Sequence, residues 1–298
     1  MPFTIEKDFE DALIKRLTEL PNQWSPDILE YKTEQELINN WADFLNQNNN
    51  LPDRLNNCPL TDGEMRQVLA KLNFTTPYET NKLLSGNLIP ITRDNPDDLQ
   101  HLGKTIYLFI FDKDKIGGGN SKYQIARQPR FTTDSEILGN RRGDLMLLIN
   151  GMPLIHIELK ASNHHVSEAC NQIEKYMKLG VFTGFFSLVQ MFVAMTPEET
   201  VYFANPGRLG TFIARNFLSI PMAHQMIGYG TVADGADNTL KIMRSYQYYA
   251  AIKVYARAID ENVWDAHMQE GGYVYHTTGS GKTLTSSKCA QLIKKKKK

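Results

Sequence analysis

Two apolar runs, DLMLLI (144–149) and PLIHIELK (153–160), are joined by Asn150-Gly151. Asn-Gly between such runs is the strongest short-range signal for a β-hairpin, because the favoured two-residue turn needs positive φ at both positions. The hairpin carries charge at one end. Asp144 opens the first strand, while Glu158 and Lys160 sit two apart on the second, and strand alternation puts them on one face.

The surrounding segments fall into an α/β order. A first helix is predicted from Phe9, Leu13, Leu17 and Leu20 at helical spacing, with Thr4 as its cap and acidic residues in its first turn. The box Thr33-x-x-Glu36 opens a second helix with Leu37, Ile38, Trp41, Phe44 and Leu45 on one side. The box Thr61-x-x-Glu64 opens a short third helix through Leu72. Residues 74–103 are turn-rich and carry no clear pattern. Strands are predicted at KTIYLFIF (104–111) and YQIARQPRF (123–131), around the charged loop DKDKIGGGN. Past the hairpin come a helix from about Val166 to Leu179 and the strands SLVQMFVAM (187–195) and TVYFA (200–204). Together these predict a mixed sheet flanked by helices. GYGTVADGADN (228–238) reads as a linker. One domain is therefore expected over 1–227 and another over 239–298. The second holds a helical pattern from Leu240 to Met268, the strand YVYH (273–276), a glycine-rich turn and a further helix ending in five lysines.

Composition removes several function classes. Hydrophobic residues at 42% and charged residues at 22% match an ordinary soluble globular chain. No apolar run approaches the ~18 residues of a membrane span. The start, MPFTIEKDFE, is acidic and lacks the apolar core of a signal peptide. Cys58, Cys170 and Cys289 are scattered without zinc-ligand spacing, which points to a reducing compartment, the cytoplasm. Formal net charge is zero, so any grip on nucleic acid must be local.

Two carboxylates and a lysine gathered on an apolar hairpin need a reason, because unpaired buried charge is costly. A divalent cation relieves the repulsion between the carboxylates. It can also polarise a phosphodiester and generate hydroxide, with the lysine steadying the water or the developing charge. Taken bare, the same three residues equally describe a surface strand end with a Glu–Lys pair. His156 projects to the Glu158 face and reads as a hydrogen-bonded core histidine more readily than as a catalytic one. His164 and His165 fall in a polar turn. Lys122, Arg127, Arg130, Arg141 and Arg142 outnumber Asp134 and Glu136 nearby, which fits either phosphate contacts or a solvated surface.

The wider run NRRGDLMLLINGMPLIHIELK (140–160) resembles the active-site hairpin of the PD-(D/E)xK nucleases, and specifically that of type I restriction endonuclease R subunits. Gly143 stands where the superfamily name implies Pro, a position that shapes the turn and not the chemistry. CNQIEKY places Gln172 and Tyr176 four apart on one helix face, twelve residues past Lys160. This resembles the Q-x-x-x-Y motif of the same lineage, which borders the active site and contacts DNA. The family also carries a glutamate on its first helix. Glu10 shares the stripe of Leu13, Ile14 and Leu17 and is favoured for that role, with Glu6, one turn earlier, as the alternative.

HTTGSGKT (276–283) lies between a predicted strand and a helix, the context of a Walker A loop. Backbone N–H groups of such a loop cradle phosphates. Lys282 would reach the β/γ-phosphates and Thr283 would hold Mg²⁺, with Thr278, Gly279, Ser280 and Gly281 completing the ATP cradle. His276 replaces the usual first glycine, a relaxation that resembles superfamily 2 helicases and translocases. RSYQYYA (244–250) resembles their glutamine motif, with Gln247 as the adenine contact; it equally suits an amphipathic helix with aromatic core positions.

The resemblance implies an α/β fold: a PD-(D/E)xK, restriction-endonuclease-like domain followed by an incomplete RecA-like P-loop segment. Its function would be Mg²⁺-dependent cleavage of double-stranded DNA, coupled to ATP-dependent translocation in the full-length R subunit. Catalytic roles fall to Asp144, Glu158, Lys160 and Glu10, metal ligation to Asp144 and Glu158, and DNA or site support to Gln172, Tyr176, Arg141 and Arg142. Mg²⁺ and ATP are the implied cofactors; modification (M) and specificity (S) subunits are the implied partners. The Walker B box, coupling motifs and arginine finger are expected beyond residue 298. The chain thus reads as a truncated product with an artefactual lysine run and no ATPase activity of its own. Two rivals remain: a translocating ATPase whose nuclease-like domain only docks, and a free-standing Mg²⁺ repair nuclease.

Overall fold

In the computed structural model the described residues are 3–20, 22–31, 33–72, 77–86, 88–111, 121–131, 141–205, 210–211, 220–234, 238–259, 272–276 and 280–296. They form two compact units, Met1–Lys241 and Ile242–Lys298.

The first unit is built on a mixed seven-stranded sheet. Its strands are β1 (Leu29–Glu30), β4 (Tyr123–Arg127), β7 (Leu145–Ile149), β8 (Met152–Leu159), β9 (Met191–Met195), β10 (Thr200–Ala204) and β11 (Gly210–Thr211), in the order β1-β4-β7-β8-β9-β10-β11. The β1–β4 and β8–β9 pairs are parallel and the others antiparallel. Every residue of β7 and β8 is buried, as expected for strands covered on both faces. The turn between them has φ of 54° at Asn150 and 76° at Gly151, the signs a type I′ turn requires. Gly151 is also a close approach, since a Cβ there would come within 2.8 Å of the Trp41 Cα.

Helix α1 (Glu6–Thr18) buries Phe9, Glu10, Leu13 and Leu17. Its N-cap is Ile5 with no side-chain cap bond, so the expected cap Thr4 stands one residue too early. Helix α2 (Glu34–Asn48) is capped by Thr33, and α3 (Asp62–Ala70) has the full Thr61–Glu64 capping box. Helix α4 (Pro77–Gly86) and strand β2 (Leu88–Thr92) occupy the stretch that carried no clear pattern. Strand β2 pairs with β3 (Thr105–Phe109) in a separate hairpin. Helix α5 (Val166–Lys178) packs against β8, β9 and β10. Short strands β5 (Arg130–Phe131) and β6 (Arg141–Arg142) pair just ahead of Asp144.

Several expectations shift. Of SLVQMFVAM, residues up to Leu188 form a 3₁₀ turn, and the strand starts only at Met191. The stretch expected as a linker, 228–238, contains the end of a π-helix (Met226–Gly230) and strand β12 (Thr231–Asp234), which pairs with β13 (Thr239–Ile242). Leu240 is thus a strand residue, and the helix begins at Ser245.

In the second unit the helices Ser245–Ile259 and Lys282–Lys296 share a small core of Met243, Ala251 and Cys289, against which Val254, Leu284 and Leu292 pack. YVYH is not a strand; Tyr273 and Tyr275 are strongly exposed. An apolar run makes a parallel strand only when neighbours cover it, and none pairs with it among the described residues. No helix among the described residues is long and apolar enough to cross a membrane.

Candidate active site

The β7–β8 register fixes the site. Leu145 lies opposite Ile157 and Met146 opposite His156, so continuing the ladder by one residue sets Asp144 opposite Glu158. The backbone N–H of Leu159 donates to Asp144 Oδ2 at 2.6 Å, which holds this carboxylate at the end of β8. The two carboxyl groups lie close enough for each to act on the other's titration. They meet at the ends of central strands.

Burial dominates the electrostatics. It pushes Asp144 up to about 7, with the repulsion of Glu158 adding to the effect. It pushes Glu158 up to about 8, although the nearby Asp144 carboxyl and the charge of Lys160 pull the other way. Lys160 offsets only part of the cost, because its Nζ is also engaged by Glu6 Oε1 at 3.2 Å and the Leu159 carbonyl at 2.9 Å. Both carboxyls are therefore held above the ordinary carboxylate range. Glu158 Oε1 lies 2.9 Å from His156 Nε2, while Oε2 is buried with no donor. Two ionised carboxylates cannot hydrogen-bond to each other, so an unmatched buried oxygen beside a second carboxylate suits a cation.

The two glutamates of α1 divide between different partners. Glu6 pairs with Lys160 and adds its charge to the field at Glu158. Glu10 is buried in an ion pair with Arg127, which also holds Asp11 at 2.7 Å. Gln128 Nε2 donates to Glu10 at 3.4 Å. Burial raises the Glu10 carboxyl, Arg127 opposes this, and Asp144 is near enough to raise it further. Gln128 adopts a φ of 50°, and its N–H donates to the Asp144 carbonyl at 2.7 Å.

Gln172 Nε2 donates to Tyr176 Oη at 2.9 Å, and that hydroxyl donates to the Arg142 carbonyl at 2.9 Å. This relay ties α5 to the segment leading into Asp144. The Arg142 side chain is exposed. The Arg141 side chain lies outside the described residues. Among the described residues no group of three or more His, Cys, Asp and Glu side chains is arranged to hold a metal. A hard cation at Asp144 and Glu158 would complete its shell with carbonyl or water oxygens.

Sequence reasoning placed Arg127 only in a general basic edge and passed over Gln128. Their link to Glu10 crosses more than a hundred residues, and no local pattern announces it.

The second unit has a different chemistry. Gly281 has a φ of 80°, and the helix starts at Lys282; Lys282 and Thr283 are exposed. Gln247 Nε2 donates to the carbonyls of Ser280 at 3.0 Å and Gly281 at 3.3 Å, and its Oε1 accepts from Arg244 N–H at 2.8 Å. A Cβ at Gly281 would fall 2.2 Å from that amide nitrogen, so glycine is required there. Thr278 and Gly279 lie outside the described residues.

Two neighbouring carboxylates, Glu158 buried and Asp144 half-buried, thus lie with an adjacent lysine at the ends of central strands in a mixed sheet. Residues 27–210, more than half of the chain, match the family described as type I restriction enzyme R protein N terminus, and the chain belongs to that family. Residues 246–298 match the SWI2/SNF2 ATPase family. The chain is 29% identical over 312 residues to the type I restriction enzyme SauCOLORF180P endonuclease subunit of Staphylococcus aureus strain COL, covering 98% of this chain and 31% of that protein. It is 30% identical over 281 residues to the SsaAORF53P endonuclease subunit of Staphylococcus saprophyticus, covering 88% and 28%. With the EcoprrI endonuclease subunit of Escherichia coli it shares 26% over 259 residues, covering 74% and 79%. The chain thus spans about a third of the length of its staphylococcal relatives.

Proposed function

We propose that this chain is the front part of a type I restriction R subunit in which Asp144, Glu158 and Lys160 form a PD-(D/E)xK site that cleaves double-stranded DNA with Mg²⁺. The observation that carries the reading is the pairing of half-buried Asp144 with fully buried Glu158, whose Oε2 is unmatched, beside Lys160. These residues fit a divalent cation: Asp144 and Glu158 would hold it. When bound, the ion supplies Lewis-acid polarisation of the scissile phosphate and a water of lowered pKa. The Leu159 N–H fixes Asp144, and Lys160, balanced against Glu6, stands where it can steady the attacking water or the charge developing on phosphate oxygens. Gln172 and Tyr176 orient the segment before Asp144 and border the DNA path, with Arg141 and Arg142 as phosphate contacts.

The second unit is the opening of a RecA-like, ATP-driven DNA translocase. Ser280 to Thr283, with Thr278 and Gly279, cradle the nucleotide phosphates, and Gln247 reads adenine once its amide leaves the loop carbonyls. Sequence specificity comes from M and S partner subunits, in the cytoplasm. The complete subunit with its partners, given plasmid DNA, ATP and Mg²⁺, is the test. Cleavage that disappears in D144A, E158A and K160A while DNA-stimulated ATP hydrolysis continues supports the reading. Undiminished cleavage in all three overturns it and leaves the docking-platform alternative.

A further inference from the structure

Residue 156 lies in the middle of a strand whose other seven residues include only one more charged or titratable side chain, Glu158. A histidine there is costly. It is fully buried, and its Nδ1 has no hydrogen-bond partner. An ordinary core histidine matches both ring nitrogens, whereas this one matches only Nε2, against Glu158 Oε1 at 2.9 Å. The ring is held by aromatic neighbours: Phe131, Tyr176, Phe182 and Phe192 stand with centroids 5.7, 6.3, 5.2 and 6.1 Å away. Phe192 belongs to β9, directly across the parallel pair from His156.

Space has also been cleared for the ring. A Cβ at residue 143 would fall 2.5 Å from His156 Cε1 and 3.0 Å from the Phe131 ring. Glycine at 143 is therefore matched to histidine at 156, which explains why a bulkier residue is absent just before Asp144.

We propose that His156 is a positioning residue whose Nε2–H fixes Glu158 Oε1 and so presents Oε2 to a divalent cation shared with Asp144. The inference rests on the nuclease reading above and deepens it. An ionised Glu158 offers only acceptors, so Nε2 must carry the hydrogen and Nδ1 the lone pair. Donors behind a metal ligand set its rotamer and basicity, and losing one costs 10- to 100-fold in metal affinity. The aromatic cage restrains the imidazole, and the Nε2 contact restrains the carboxylate with it.

Two substitutions of matched size separate hydrogen bonding from packing. H156Q puts an amide donor near the position of Nε2; H156M fills the same space without one. Mn²⁺ binding to the complete, nucleotide-free subunit is measured from the free-ion paramagnetic signal, alongside the Mg²⁺ concentration for half-maximal plasmid cleavage. D144N and E158Q identify the relevant site. H156M is expected to weaken Mn²⁺ binding at least tenfold and to raise the Mg²⁺ requirement by a similar factor, with H156Q within about threefold of wild type. H156M binding as wild type does, or H156Q as weak as H156M, overturns the proposal. Should H156M lose its near-UV dichroism, H156Q decides: retained affinity supports the proposal and a tenfold loss overturns it. Wild-type protein with no Mn²⁺ site sensitive to D144N and E158Q sinks the nuclease reading itself, a distinguishable result.

Discussion

The end of the β7–β8 hairpin and the 280–283 loop, both proposed above to serve phosphate chemistry, are built by opposite means. At the hairpin, charged groups are buried and mutually opposed, and burial raises both carboxyls. The low-dielectric interior makes those groups strong on an ion and costly without one. At the loop, Lys282 and Thr283 are exposed, and backbone carbonyls are occupied by Gln247. A phosphate cradle of this kind uses main-chain N–H groups, which cost nothing to keep in water. The lesson is that the hairpin site is preorganised by the sheet around it, whereas the loop carries its chemistry in a short local motif.

The largest effect that tests this contrast is on cleavage. D144A, E158A or K160A in the complete subunit should lower plasmid cutting by about 10³-fold or more, several kcal/mol of lost charge stabilisation. DNA-stimulated phosphate release should stay within about twofold. Any one of them cutting at the wild-type rate removes that residue from the site. The reciprocal change, Lys282→Ala, should cut ATP hydrolysis by about 10²-fold or more and leave Mn²⁺ binding at the hairpin untouched; a parallel loss of both would dissolve the contrast.

A smaller effect follows from acid–base linkage. Raised folded-state values mean that the native protein binds more protons than the unfolded chain from about pH 4 upward. The associated stability is fully present below the unfolded carboxyl range and is lost as pH rises through about 7 to 8. Metal-free E158Q should therefore be more stable than wild type at pH 8, by about 2 kcal/mol, and should match it at pH 4. Denaturant melts at both pH values check this, and added Mg²⁺ should stabilise wild type only. Stability of the metal-free wild type that rises from pH 5 to 8 would mean the pair is ionised without an ion. The smallest effect is expected at the relay: Q172A and Y176F should each lower cleavage about tenfold or less, as lost hydrogen bonds of about 1 kcal/mol imply. Loss as deep as in E158A would move Gln172 or Tyr176 into the chemistry.

Elements with a local cause were legible in the sequence. The Asn150-Gly151 turn, the Thr33 cap, the Thr61 box and α5 depend on neighbours in the chain, and each formed where residue type and spacing put it. Strand β2 escaped because Pro90 interrupts its pattern; the residue is tolerated in a two-stranded hairpin, where Ile89 and Ile91 still alternate inward. YVYH misled in the other direction, because apolar character alone does not supply a partner strand.

The hairpin, the candidate residues Asp144, Glu158 and Lys160, and the phosphate-loop motif were legible in the chain alone, since they are short local patterns. The long-range partners of those residues came from tertiary packing. It set Glu6 on Lys160, Glu10 on Arg127 and His156 under Glu158 inside an aromatic cage that needs glycine at 143. The Glu6–Lys160 and Glu10–Arg127 pairs, and the cage around His156, join segments far apart in the chain. They are selected by packing and by the cost of leaving buried charge unmatched, and neither is written in local periodicity.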